Sequence, residues 1–221
     1  MSNAPILPTI AAMRSGDHYC GIYRTDEERH ALMIDFVREG LLRNEKILHI
    51  VDLHTAAKLK SVLAKAELVI EPLLDTGQLV ILTGKDSYVR NGQFEPESMI
   101  DLLGTETDEA LSEGYTGLRA IGEMTWALAG EPGAERLIEY ESRLNDFFPG
   151  RKCFALCQYD RRRFDAEILL DVLCAHPNVL YGCDAFDNSR LYYVPPQTFL
   201  GGDRQRAMLD RWLENLSRAR G

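Results

Sequence analysis

Two patterns of apolar residues take turns along the chain. The first is a short, dense run bounded by turn formers. It occurs from Asp17 to Tyr23, Lys46 to Asp52, Leu79 to Gly84, Leu118 to Glu123, Lys152 to Asp160 and Asn178 to Tyr181. Such runs are too short for buried helices, and their residues suit a pleated surface, so they predict strands. The second pattern is a stripe at helical spacing. Thr25 predicts an N-cap, with Asp26, Glu27 and Glu28 in the first turn and Leu32, Phe36, Val37 and Leu41 on one side. Thr55 predicts the cap of a second helix reaching about Lys65, and Pro96 opens a third that runs to Ser112 or Glu113. Pro132 suits a first helical turn ahead of the stripe Leu137, Tyr140, Leu144 and Phe147. Asp165 starts a helix to about Ala175. The closing helix, over 203–220, carries Met208, Leu209, Trp212, Leu213 and Leu216 on one side. Leu191 to Val194 predicts a further strand at the sheet edge.

Strands therefore alternate with helices over nearly the whole length. That order predicts an α/β fold with a mostly parallel central sheet and helices on both faces. No repeat or low-complexity linker divides the chain, so residues 1–221 are expected as one domain. Folds of this kind bind ligands beyond the carboxyl ends of their strands. The residues at those ends are Cys20, Tyr23, Asp52, Thr83 to Lys85, Glu123 to Trp126 and Cys157 to Asp160.

Composition narrows the function classes. Hydrophobic residues make up 45% and charged residues 27%, which excludes a disordered chain. The net charge of -9 repels nucleic acid unless basic residues share a face, and Arg161 to Arg163 is too short a run to change that. No apolar run approaches a membrane span, and the N-terminus lacks a basic leader, so a cytoplasmic protein is expected. The 5 cysteines are an odd number, for which reduced thiols are the default there.

Motifs for common chemistries are missing. The sequence has no G-x-x-x-x-G-K-[ST] phosphate loop, and Gly84-Lys85-Asp86-Ser87 lacks its first glycine and adjacent hydroxyl. The loop after the first strand carries three acids, Asp26 to Glu28, which disfavour a triphosphate. No G-x-G-x-x-G, G-x-S-x-G or H-E-x-x-H occurs, and His30, His49, His54 and His176 are scattered. Neither an enzyme nor a cofactor is expected.

Several segments together resemble one family. Asp17-His18-Tyr19-Cys20-Gly21-Ile22-Tyr23, Phe36 to Gly40, Asp86-Ser87-Tyr88, Gly92 to Phe94, Gly122 to Trp126 and Cys157 to Asp160 with Arg163-Phe164 resemble the MEDS sensory domain of methanogen and methylotroph regulators. The resemblance covers a sensory core over 15–195. It implies a RecA/KaiC-like three-layer sandwich that lacks a phosphate loop. It also implies sensing of a small hydrocarbon derivative in signal transduction or transcription regulation. The output is then expected on a separate protein, such as a histidine kinase or transcription regulator, or in a part cut away. The closing helix leaves a homo-oligomer open.

One cavity is expected to be bordered by His18, Cys20, Tyr23, Glu123, Trp126, Cys157 and Tyr159. His18 and Cys20 share a strand face because they lie two residues apart. Glu123 ends an apolar strand, where a carboxylate is costly unless paired or used, and the family resemblance implies ligand contact. Its alternative is an ion pair with Arg119 or the run Arg161 to Arg163. Glu123→Gln is expected to leave the fold intact and change ligand response. Trp126 and Tyr23 supply walls, and Arg162 and Arg163 offer anion or ion-pair contacts. Cys153 and Cys157 share a face but stand about 13 Å apart along a strand, too far for one ion, and no metal site is expected. Cys20 with Cys157 stays open as a disulfide switch or soft-ligand pocket. A degenerate KaiC-like nucleotide-binding enzyme and a thiol-based redox sensor are the alternative functions.

Overall fold

The computed structural model describes residues 7–52, 56–182 and 184–218; the predicted cap Thr55, and also His54 and Cys183, lie outside them. The elements in chain order are α1 (Leu7–Ala12), β1 (His18–Tyr23), α2 (Asp26–Leu42), β2 (Lys46–Val51), α3 (Ala56–Lys65), α4 (Glu71–Asp75) and β3 (Leu79–Thr83). Then come α5 (Pro96–Ser112), β4 (Leu118–Glu123), α6 (Leu137–Phe147), β5 (Cys153–Asp160) and α7 (Ala166–Ala175). The chain continues through β6 (Asn178–Tyr181), β7 (Asp184–Asp187), α8 (Pro196–Leu200) and α9 (Arg204–Arg218). Thr25 caps α2 as its sequence predicts, its Oγ1 accepting from the Glu28 N–H at 3.2 Å.

Among the described residues the strands form one seven-stranded sheet in the order β3-β2-β4-β5-β1-β6-β7. Every pairing is parallel except β6 with β7. Alternation along the strands divides the core into two layers. On one face Tyr19, Ile47, Val51, Ile121, Phe154 and Leu156 pack with Leu32, Met33 and Phe36 of α2 and Leu59 and Leu63 of α3. On the other, Cys20, Ile22, Leu48, Ala155, Cys157 and Tyr159 meet Leu103 of α5, Leu144 of α6 and Val172 of α7. Arg119 is wholly buried in the first layer. It donates to Glu45 at 2.6 Å and lies between the Phe36 and Phe154 rings.

Two local expectations are corrected. No helix starts at Pro132: 3-10 turns span Met124–Ala129 and Ala134–Arg136, and α6 begins only at Leu137. The Pro132 carbonyl accepts the Phe94 N–H at 2.7 Å, and Gly133 takes a left-handed φ of 85° against that strap. A Cβ at Gly133 would stand 2.2 Å from the Phe94 carbonyl oxygen, so the crossing needs glycine. Nor is Leu191 to Val194 a strand. The N–H groups of Leu191 and Tyr193 go to the Asn188 carbonyl, that of Tyr192 to its side chain, and that of Val194 to Cys174. The strand at this edge of the sheet is the short, exposed β7, which apolar patterning does not mark.

Candidate functional site

A buried polar cluster sits under the sheet, between β1 and β5 above and α6 and α7 below. His18 opens β1 and Cys157 lies on β5, both facing the second core layer. Glu141 and Asn145 come from α6, four residues apart and therefore on one helix face. His176 follows α7. Pro177 behind it disfavours helical backbone at His176, which takes φ -114° and ψ 123° and ends the helix.

The hydrogen bonds orient both imidazoles. Asn145 donates its amide hydrogens to the carbonyls of Glu141, Ser142 and Ala175, so its oxygen is left to accept. His18 Nδ1–H donates to that oxygen at 3.0 Å. His176 Nδ1–H donates to the Val172 carbonyl at 2.8 Å. Both Nε2 atoms therefore turn to the carboxylate, with a lone pair in the neutral ring and a proton in the imidazolium, and both stand 3.2 Å from Glu141 Oε2. Cys157 Sγ lies 3.6 Å from His18 Nε2, and Tyr159 donates its hydroxyl to Glu141 Oε1 at 2.5 Å. Burial opposes ionisation of Glu141, but His176 and His18 outweigh it and hold the carboxyl well below its usual range. Burial lowers His18, with His176 adding to the effect, and burial followed by Glu141 pushes the Cys157 thiol up.

The remaining predicted residues lie elsewhere. Cys20 pairs in register with Cys157 on the same face, and both are free thiols. Burial also pushes Cys20 up. Glu123 pairs in register with Gln158, the residue between Cys157 and Tyr159, so it points to the opposite face. There Arg29 donates to Glu123 Oε1 at 2.6 Å with both side chains 3% exposed, and the Asp52 N–H donates to Oε2 at 3.1 Å. The predicted partner Arg119 is taken by Glu45 instead. Tyr23 lies three residues beyond Cys20 and turns to the Glu123 side, where burial, and after it Asp160, pushes its hydroxyl up. Trp126 stacks on Tyr88 at 4.6 Å and packs against Phe94. Arg162 pairs with Asp160 and Asp26, while Arg163 is exposed. The seven residues thus do not share one lining: His18, Cys20, Cys157 and Tyr159 meet on one face, Tyr23 and Glu123 on the other, and Trp126 in an aromatic stack.

A separate groove of about 530 Å³ runs along β6 beside α7 and reaches the carboxyl ends of β1 and β6 at Ile22 and Tyr181. Ile22, Leu169, Leu173, Val179 and Phe186 line it, with Tyr181 and Arg161 at its polar edge. Arg161 donates to the Tyr181 hydroxyl at 3.0 Å.

The family description "methanogen/methylotroph, DcmR sensory domain" (MEDS) matches residues 17–177. The chain belongs to the MEDS family. A curated relative, the transcriptional repressor DcmR of Methylorubrum extorquens (strain DSM 6343 / CIP 106787 / DM4), is 30% identical over 161 residues. The match covers 72% of this chain and 58% of the repressor, so the chain spans little more than half of that relative's length. Two solved structures share the fold at low identity. A KaiC-like protein of Pyrococcus horikoshii OT3 superposes with a TM-score of 0.55 at 10% identity, covering 76% of this chain and 72% of that one. The flagellar accessory protein FlaH of Methanocaldococcus jannaschii gives 0.57 at 11%, covering 84% and 82%. The MEDS fold here is accordingly RecA-like, and membership gives the chain a regulatory, sensory role. Among the described residues no helix is long and apolar enough to cross a membrane.

The sequence does not point to Glu141, Asn145 and His176 as members of this cluster. Glu141 had a signal. It lies four residues after Leu137 and one after Tyr140, so the stripe that buries those residues buries a carboxylate with them.

Proposed function

We propose that this MEDS domain is a non-enzymatic receptor whose small, weakly polar ligand, a hydrocarbon derivative, binds in the groove between β1, β6 and α7. The groove carries the reading: it reaches the carboxyl ends of β1 and β6 at Ile22 and Tyr181, on the side where α/β sheets take ligands, and its walls are apolar with few polar groups. The competing enzymatic reading would use Cys157, His18 and Asn145 as a thiol relay. Its Cys157 and His18 are buried, and Glu141 faces the same ring nitrogen as the thiol. A redox role for Cys20 and Cys157 meets two buried thiols held protonated.

The output reading rests on α9. Met208 is buried and Trp212 half-buried, while Leu209, Leu213 and Leu216 stay exposed. Arg204 of α9 pairs with Asp171 of α7 at 3.0 Å, so a groove that shifts α7 also bears on α9. The partner on that surface is a separate signalling protein.

A ligand of three heavy atoms gains at most about 4.5 kcal/mol, a Kd near 0.5 mM, so the test runs at millimolar concentrations. Methyl-labelled protein is titrated with short alcohols, methylamines and halomethanes. Saturable shifts at Ile22, Leu169, Leu173 and Val179, lost in Leu173→Asp, are expected. If no compound moves these methyls, or if the shifts gather elsewhere, the groove is not the receptor site.

A further inference from the structure

We propose that His18, Glu141, Cys157 and His176 form a four-ligand site for a borderline-soft divalent transition metal, with Zn²⁺ the expected ion. Four donors of the kinds zinc takes, two imidazoles, a thiol sulfur and a carboxylate, lie mutually within 4.8 Å. Three of the separations are 3.2, 3.2 and 3.6 Å. Those match the edges of a tetrahedron about a metal with zinc bond lengths, about 3.3–3.6 Å.

Hydrogen bookkeeping points the same way. Each imidazole has committed its Nδ1–H outward, to Asn145 or to the Val172 carbonyl, and turns its Nε2 inward. Both nitrogens face one carboxylate oxygen, which offers only lone pairs. In the neutral rings that is three acceptors converging in a dry interior, an arrangement that calls for a cation among them, a proton or a metal ion. The outer contacts are those that orient metal ligands: a side-chain amide oxygen and a backbone carbonyl on the two histidines, and the Tyr159 hydroxyl on the second carboxylate oxygen. Cys157 binds as thiolate, and its proton leaves to solvent as the ion enters.

All four ligands come from the protein and each is at most 4% exposed, so the site is closed and has no open coordination position. It ties β1 and β5 to α6 and α7. Asn188 extends the tie: it donates to the carbonyls of Leu173 and His176 and lines the apolar groove.

The test uses the whole chain, stripped with a chelator and then titrated with Co²⁺. Saturation near one equivalent is expected, with a near-ultraviolet thiolate-to-cobalt band, tetrahedral visible bands and full displacement by Zn²⁺. Cys157→Ser should abolish the near-ultraviolet band and weaken binding at least about tenfold. Cys153→Ser, on the same strand but outside the cluster, should change neither. The proposal is overturned if the unmodified chain shows no saturable binding at micromolar Co²⁺, if it binds without a thiolate band, or if the band survives Cys157→Ser. The titration of the unmodified chain decides the matter even if a variant fails to fold.

Discussion

The Arg29–Glu123 pair makes the sharpest prediction about stability. Both side chains are 3% exposed, and Arg29 donates to Glu123 at 2.6 Å and to His30 Nε2 at 2.9 Å. Removing one charge from a buried pair strands the other, at about 3–5 kcal/mol. Glu123→Gln keeps the shape and one acceptor for the Asp52 N–H, which places it at the low end, about 3 kcal/mol. For a chain of this size that lowers Tm by about 6–12 °C. This revises the expectation that the substitution leaves the fold untouched. The assay is urea unfolding of four proteins: the unmodified chain, Glu123→Gln, Arg29→Met and the double variant. The double should be less unstable than the sum of the singles by about 2 kcal/mol, because it removes the stranded charge. A single-variant cost below about 1 kcal/mol, the scale of an exposed pair, would refute the argument, and so would strict additivity.

Trp126→Ala should cost about 3–5 kcal/mol, since the ring is 2% exposed, stacked on Tyr88 and packed against Phe94; Trp126→Phe should cost much less, because the buried indole N–H has no acceptor to lose. Thermal melts check both, and an alanine variant melting within a degree of the unmodified chain would show that the stack contributes little. Cys20 and Cys157 are buried, and burial raises both thiols, so alkylation followed by mass spectrometry should label them no faster than global unfolding. Labelling of either in the folded chain at the rate of an exposed thiol would revive the redox reading.

The strand-and-helix order was legible because each buried parallel strand is a dense apolar run and each helix is striped. What failed locally was decided by contacts between distant segments. Pro132 looks like a helix opener until Phe94 crosses it, and Leu191 to Val194 looks like a strand until Asn188 and Cys174 take its N–H groups. The edge strand Asp184–Asp187 carries only Ala185 and Phe186 between two acids, too short an apolar signal to mark it.

The candidate site was half legible, and strand parity explains which half. A period of two places His18 and Cys20 on one face of β1, and Cys157 and Tyr159 on one face of β5. The same rule, applied to Tyr23, three residues from Cys20, already sends that ring to the other face. For Glu123 parity alone is not enough, since nothing in β4 says how it registers against β5. Only the pairing of Glu123 with Gln158 shows that the carboxylate shares a face with Arg29 rather than with the thiols. The helix residues were harder still. Glu141 and His176 lie 35 positions apart and reach His18 only because α6 and α7 both pack under β1 and β5. Their one local trace is a polar residue placed where the pattern demands an apolar one. A carboxylate on the buried stripe of α6 costs several kcal/mol if left alone. Its presence there predicts partners that the sequence does not name.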